Sequence, residues 1–444
     1  MQEIFAYLKS ANQFLWGGPL LFLLMGTHLY FTMKLGFPQR NIGKAIRLSV
    51  TPDSTKDHRK SSGKHTGNLS VFATLSTTLA ATLGTGNIVG VSTAVALGGP
   101  GAVFWCWITG ILGMATAYAE CFLSVRFRKR NEDGTYQGGP MYVWENGLHN
   151  SIIGKFYGAL TLLAAFGVGC TTQSNSLTQT ASASFGLNPH IVGILAALVA
   201  GLVIIGGIRS IGTVCVRLVP FLGILYTASC LLLLFLNREA LLPALRLILT
   251  HALAPRAALG GAFGSSLMVT ARYGIARGLF TNEAGIGTAA IAAAASETEE
   301  PARQAYVSMT AVFWDTVVMC LLSGLVIVTN MLLHPSSIQG VNEAGLTDAA
   351  FTFLPYLGSG FLSVCLAAFA ITTLIGWSYL GEQAYLYLTG NKGLSYYKIA
   401  YIVMIYIGAV LPLNLVWECT DLINALMVIP NVAALFLLKR YLHA

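Results

Sequence analysis

Leu79-Ala80-Ala81-Thr82-Leu83-Gly84-Thr85-Gly86-Asn87-Ile88-Val89-Gly90 and Gly278-Leu279-Phe280-Thr281-Asn282-Glu283-Ala284-Gly285-Ile286-Gly287-Thr288-Ala289 decide how this chain folds. Each stretch lies inside a long apolar segment and sets Gly-x-Gly and polar groups where a helix in lipid should be uniformly apolar. Glycine lacks a Cβ and lets backbone leave the helix. Backbone unwound at membrane depth survives only where protein buries it or a cavity wets it. The two stretches therefore mark a protected interior.

Composition supports a bilayer setting. Of 444 residues, 55% are hydrophobic and 10% charged, with a mean hydropathy of +0.66. Soluble domains carry about 25% charged residues. Apolar runs near the ~20 residues needed to cross hydrocarbon recur along the chain. Alternating ten-residue strands of a membrane barrel are not evident. The class is an all-α polytopic membrane protein. The net charge of +8 sits in short loops between apolar runs, which excludes a nucleic-acid groove. The eight cysteines lie within or at the ends of apolar segments without a CxxC pair, which suits packing rather than disulfides or zinc.

Hydropathy predicts about eleven spans: Phe14–Met33, Ser70–Leu97, Ala102–Val125, Phe156–Ser182, Ile191–Gly206, Val214–Leu236, Ala262–Ala295, Val307–Leu332, Leu357–Leu388, Ile399–Val416 and Leu422–Leu438. The first lacks a small-residue cleavage site and reads as a retained helix, not a signal peptide. Threading these spans gathers most Lys and Arg on one side, from Lys34 through Arg126–Arg130 to Lys439 and Arg440. The other side holds Lys9, Arg238, Arg246 and Arg256. Positive loops are cytoplasmic, so the N-terminus is expected outside and the C-terminus inside. Thr51–Gly67 reads as a cytoplasmic linker, and the Arg126–Arg130 cluster as an anchor near headgroups. Gln137-Gly138-Gly139-Pro140 reads as an ordinary turn in preference to a gate shaped by its Gly-Gly-Pro.

Without the first helix, five spans fill 69–237 and five fill 262–444, with residues 1–68 as an extra helix and linker and 238–261 as an external connection. An odd number per half inverts one half against the other, and each half opens on its glycine-broken segment. Such a pair of interruptions points to the binding site of a secondary transporter.

Several residues could carry the chemistry. Unwinding near Gly84 frees amides at Thr85 and Gly86, which suit a carboxylate, and carbonyls near Ala80 and Leu83, which suit a small hard cation. Asn87 could serve either. Glu283 is either a site carboxylate or a partner for Arg272 or Arg277, since an acid at membrane depth is functional by default. Gln173 and Ser176 share a helical face inside the polar run Gly169–Ser176. Thr372 and Thr373 offer paired hydroxyls to a cation, or satisfy themselves one turn back. Trp377, one turn on, could wall a small solute. Glu120 and Glu382 are expected in salt bridges at cytoplasmic ends. Asp315 is placed near the cytoplasmic mouth as a proton site or acceptor, while His28, His251 and His334 show no ligand spacing.

Taken together, GTGNIVGV with GGPG in Leu69–Gly101, Tyr118-Ala119-Glu120, Gln137–Tyr142, Arg272–Gly285, Asp315-Thr316 and Gly376–Tyr379 resemble the alanine/glycine:cation symporter family. The resemblance covers nearly the whole chain in order. It implies the five-plus-five inverted repeat of the leucine-transporter fold in a bacterial inner membrane. It also implies uptake of alanine or glycine with sodium as the coupling ion, no other cofactor, and no enzymatic activity. By motif, Thr85, Gly86, Asn87, Gln173, Asn282 and Trp377 would contact substrate. Ala80, Leu83, Asn87, Thr372 and Thr373 would hold sodium. A proton-coupled carrier of the same fold, titrating Glu283 or Asp315, is the main rival.

Overall fold

The computed structural model describes residues 2–51, 69–253, 267–390, 392–411 and 413–443. The linker expected at Thr51–Gly67 and the start of the Ala262–Ala295 span lie outside these. The chain opens with α1 (Gln2–Gly17) and α2 (Pro19–Lys34), interrupted at Gly17-Gly18. Pro19 opens α2 in the first turn, where a missing N–H costs nothing. A short α3 (Ile42–Val50) follows.

The first glycine stretch separates α4 (Val71–Thr82) from α5 (Val91–Gly98), and the two halves meet at 52°. α6 (Ala102–Arg126) runs unbroken to a hairpin of β1 (Lys129–Arg130) and β2 (Tyr136–Gln137). After α7 (Pro140–Tyr142), α8 (Ser151–Phe166) and α9 (Thr172–Phe185) form one rod joined by a π-turn at Gly167–Thr171. α10 (Pro189–Ile205), α11 (Gly207–Leu236) and α12 (Arg238–Leu253) lead to the second interruption. There α13 (Leu267–Asn282) gives way to α14 (Thr288–Ala294). α15 (Pro301–Val312) continues through a π-helical stretch at Phe313–Cys320 into α16 (Leu321–Leu333). A short α17 (Leu346–Phe351), the long α18 (Gly358–Thr389), α19 (Leu394–Val410) and α20 (Leu413–Leu437) complete the chain.

Among the described residues, seven helical stretches are long and apolar enough to cross a bilayer, and the α4–α5 pair makes an eighth. α10 and α19 are apolar but shorter, at 17 residues each. The expected eleven crossings require these two and the α13–α14 pair.

α6 lies at the centre, packed by α2, α13, α14 and α15. It can do so because Gly110, Gly113, Ala115, Ala117 and Ala119 present little bulk, the device by which helices approach closely in lipid. α18 packs against α4, α8 and α9 as a second axis. Where α5 ends, Thr270 Oγ1 of α13 donates to the Gly98 carbonyl at 2.7 Å. Where α4 begins, Leu69 pairs with Ser296 beyond α14. The two broken segments therefore lie side by side and run in opposite directions. Seven of the eight cysteines are buried packing residues, and Cys419 is half-buried.

Candidate functional site

The first break is made by one residue. Leu83 adopts an extended conformation (ψ 105°), which swings its carbonyl off the helix axis. The Gly84 amide, which an unbroken helix would give to the Ala80 carbonyl, donates instead to Asn87 Oδ1 at 3.1 Å. Thr373 Oγ1 of α18 reaches the Leu83 carbonyl at 3.1 Å and the Phe369 carbonyl at 2.9 Å. A methyl on Gly84 would lie 2.9 Å from that hydroxyl, so only glycine allows the approach. Thr372 turns to the Phe369 carbonyl at 2.8 Å. Two backbone carbonyls and a hydroxyl thus converge between α4 and α18.

Asn87 binds across the molecule. Its amide donates to Asp315 Oδ1 at 2.7 Å and to the Asp315 carbonyl at 3.1 Å. Asp315 Oδ2 accepts from Thr316 at 2.6 Å. Asp315 does not sit at a mouth of the molecule. It lies midway along the α15–α16 rod, fully buried beside the first break. Two widened turns, Gly86–Gly90 and Phe313–Cys320, bring these side chains together. Such π-turns concentrate at functional sites.

The second break interrupts the helix through Glu283 (φ +54°), Gly285 (φ +95°) and Gly287 (φ +94°). A non-glycine residue at positive φ is strained and persists only where its surroundings insist on it. Thr288 Oγ1 donates a short hydrogen bond to Glu283 Oε2. Of the two alternatives for Glu283, the ion pair with Arg272 or Arg277 is not formed among the described residues; the two guanidinium groups face the rings of Tyr273 and Phe280. Glu120, expected in a salt bridge, is buried instead. Its Oε1 accepts from the Gly285 amide at 2.8 Å and from Asn431 at 2.6 Å. Asn431 also donates to the Gly285 carbonyl, and Tyr157 to the Ile286 carbonyl. The turn's loose backbone groups are thus satisfied by side chains from three helices: Glu120 of α6, Tyr157 of α8 and Asn431 of α20. Glu382, by contrast, does pair with Lys398, at 3.7 Å.

Between the breaks lies a chamber of about 20 Å³, lined by Thr85, Gly86, Gln173, Glu283, Thr373 and Trp377. Ala81, Thr82, Gly84, Val168, Phe280 and Thr281 complete its walls. Of the residues singled out for solute, Thr85, Gly86, Gln173 and Trp377 meet here. Asn87 and Asn282 do not: Asn87 turns to Asp315, while Asn282 caps the Ala284 amide with its Oδ1 at 3.0 Å and points its side chain towards α6. Thr85 Oγ1 faces Gln173 Oε1 at 3.4 Å. Trp377 lies over Gly169, where an added methyl would sit 2.2 Å from the Trp377 Cβ. The buried Trp377 Nε1 has no protein partner. Phe280 escapes spacing arguments because nothing in the sequence distinguishes a ring that lines a chamber from one that faces lipid.

Phe280, Thr85 and Gly86 also line a wider vestibule of about 530 Å³, with Ser176, Gln179, Arg277 and Asp348. It opens on the side of α17, whose approach is tied to α5 by Ser92 Oγ donating to the Glu343 carbonyl and Thr347 Oγ1 to the Ile88 carbonyl. The opposite side is sealed. The Leu69 amide donates to the Ala295 carbonyl at 3.0 Å, and the Glu297 amide to the Leu69 carbonyl at 2.9 Å. Arg128, read as a headgroup anchor, turns inward. Its guanidinium donates to the carbonyls of Ala294, Ser296 and Thr298 at 3.1, 2.7 and 2.7 Å and stacks over Tyr136. Gln137–Pro140 is more than a turn. Gly139 (φ +111°) donates its amide to Ser124 Oγ, which donates to the Ala290 carbonyl, pinning the loop to α14.

Two broken helices meeting at a chamber, open through a vestibule on one side and sealed on the other, define a membrane transporter of the leucine-transporter fold. That fold is shared with a sodium-coupled sialic acid symporter solved in a substrate-bound outward-open state (TM-score 0.55, 11% identity, 92% of this chain and 81% of that one). It is shared equally with MhsT in complex with L-phenylalanine (TM-score 0.55, 15% identity, 82% and 87%). The chain belongs to the sodium:alanine symporter family, whose sequence model matches residues 1–444. It is 40% identical to the sodium/alanine symporter AgcS of Methanococcus maripaludis, over 98% of this chain and 95% of that protein. It is 34% identical to the probable sodium/glutamine symporter GlnT of Bacillus subtilis, over 99% and 90%. An uncharacterized transporter of Haemophilus influenzae is 43% identical, over 98% and 93%. The family consists of transporters rather than enzymes, and its many spans place the chain in the plasma membrane.

Proposed function

We propose that this protein couples the inward sodium gradient to uptake of a small neutral amino acid, alanine or glycine, by alternating access. The observation that carries the reading is the convergence of the Leu83 and Phe369 carbonyls on Thr373 Oγ1, at 3.1 and 2.9 Å. Hard oxygen donors of this kind suit a small cation. The Ala80 carbonyl, stripped of its helical amide partner, and the Thr372 hydroxyl would complete the shell.

The solute would lie in the adjoining chamber. The amides at Thr85 and Gly86 would take its carboxylate, and Gln173 and the Trp377 indole would supply polar contacts. Trp377 and Phe280 close the chamber to about 20 Å³, so any solute requires them to part, and a small one requires the least movement. Asn87 and Asn282 would act on the two breaks rather than on solute directly. Asn87 would bring the Asp315 carboxylate beside the first break, where it could serve the same cation. The inverted repeat would run through 69–237 and 262–444, with the vestibule outside and the Arg128 clamp in the cytoplasm.

Uptake of labelled alanine into proteoliposomes tests this at fixed pH with an imposed sodium gradient. Replacing sodium by choline should cut the initial rate at least tenfold. Uptake that ignores sodium but follows a proton gradient would replace this reading with the proton-coupled one, to which Glu283, on the chamber wall, is suited.

A further inference from the structure

Asn282 and His28, neither of which lines the chamber, meet elsewhere. His28 is fully buried on α2, and its Nδ1 pairs with Thr116 Oγ1 of α6 at 2.8 Å. Its Nε2 has no protein partner, and neither does Nδ2 of the buried Asn282. Both nitrogens lie close to Gly113 of α6. A methyl built on Gly113 of α6 would stand 3.7 Å from His28 Nε2, 3.8 Å from Asn282 Nδ2 and 3.3 Å from the Ala284 Cβ. A third unpartnered atom, Glu120 Oε2, belongs to the residue that binds the Gly285 amide. Gly285 itself abuts His28, whose Cε1 lies 3.8 Å from the position of a Gly285 methyl.

From this proximity we infer that a single buried water molecule is bound beside Gly113, bridging His28 Nε2 and Asn282 Nδ2. The chemistry of the surrounding groups selects water. Asn282 is held with its Oδ1 on the Ala284 amide, so it presents N–H groups to the site and must meet an acceptor. A metal cation cannot bind an N–H donor, and an anion would face the Glu120 carboxyl. Water accepts from Asn282 and can either donate to His28 Nε2 or accept from it, according to which proton the Nδ1 bond to Thr116 selects. Buried waters of this kind satisfy polar groups that would otherwise be left without partners. The bridge joins α2, the helix outside the ten-span core, to the second break at the residue preceding Glu283. α2 is thereby a polar partner of that break and not only an apolar cover.

Substitution at Gly113 separates this from dry packing. Ala and Ser add the same Cβ, equally close to Ala284, but only Ser returns a hydroxyl near the water position. Gly113→Ala should lower the apparent melting temperature of the purified full-length protein by about 2–4 °C. Gly113→Ser should recover at least half of that loss. Ser equal to or worse than Ala overturns the proposal. Should both variants fail to fold, density of the wild-type protein at a resolution that shows other buried waters decides. A peak within about 3.2 Å of both nitrogens supports the bridge, and its absence overturns it.

Discussion

Thr373 carries two roles in one side chain. Its hydroxyl donates to the Phe369 carbonyl four residues back, the ordinary habit of a buried helical threonine, and it also spans to Leu83 on the broken helix. Which role dominates is measurable. Thr373→Ala removes a ligand to charge, an interaction of about 1.5–3 kcal/mol. The sodium concentration for half-maximal uptake should therefore rise about tenfold or more. The competition profile among amino acids should stay the same. An unchanged sodium activation curve would reduce Thr373 to a packing residue. Asp315 teaches a related lesson. Counting residues from a span's edge misjudged its depth, because the helix begins at Pro301, before the apolar run that starts at Val307, and hydropathy cannot see that polar first turn.

At the level of elements, the two interruptions were legible because glycine and polar residues are so poorly suited to lipid. Their surroundings were less so. That α18 approaches α4 closely follows from Gly376, where a methyl would lie 2.7 Å from the Ala81 amide nitrogen, yet no spacing rule pairs those helices. Arg128 looked like one more basic residue among Arg126–Arg130, and only folding reveals that it alone caps the exit of α14. Loose carbonyls at a helix C-terminus attract cations, and here three are held by one guanidinium. Removing it should favour the state open on that side. In a cysteine-free background, a thiol reagent should reach a cysteine placed at Ala294 about tenfold faster in Arg128→Ala than in the parent. Arg128→Lys, which keeps the charge but cannot fork, should fall between. Equal labelling rates would mean the clamp contributes nothing to closure.

For the whole molecule, fold class could be read from composition and hydropathy alone, while the number of crossings could not. Helices of 17 residues such as α10 and α19 lie at the limit of what length and composition can assign. The charge asymmetry carries an expectation about orientation, with the N-terminus outside and the C-terminus in the cytoplasm. An epitope fused ahead of Met1 should be stained on intact cells, and one fused after Ala444 only after permeabilisation. The reverse result would place the vestibule on the cytoplasmic side, making this an inward-open state. The seam between Leu69 and the Ala295–Glu297 segment has a further use. Two backbone amides close it, and both must part whenever the start of the first broken helix and the end of the second separate. Deuterium uptake at Leu69 and Glu297 then becomes a clock of the transport cycle, read without a label or a mutation, ticking once for each opening of the sealed face.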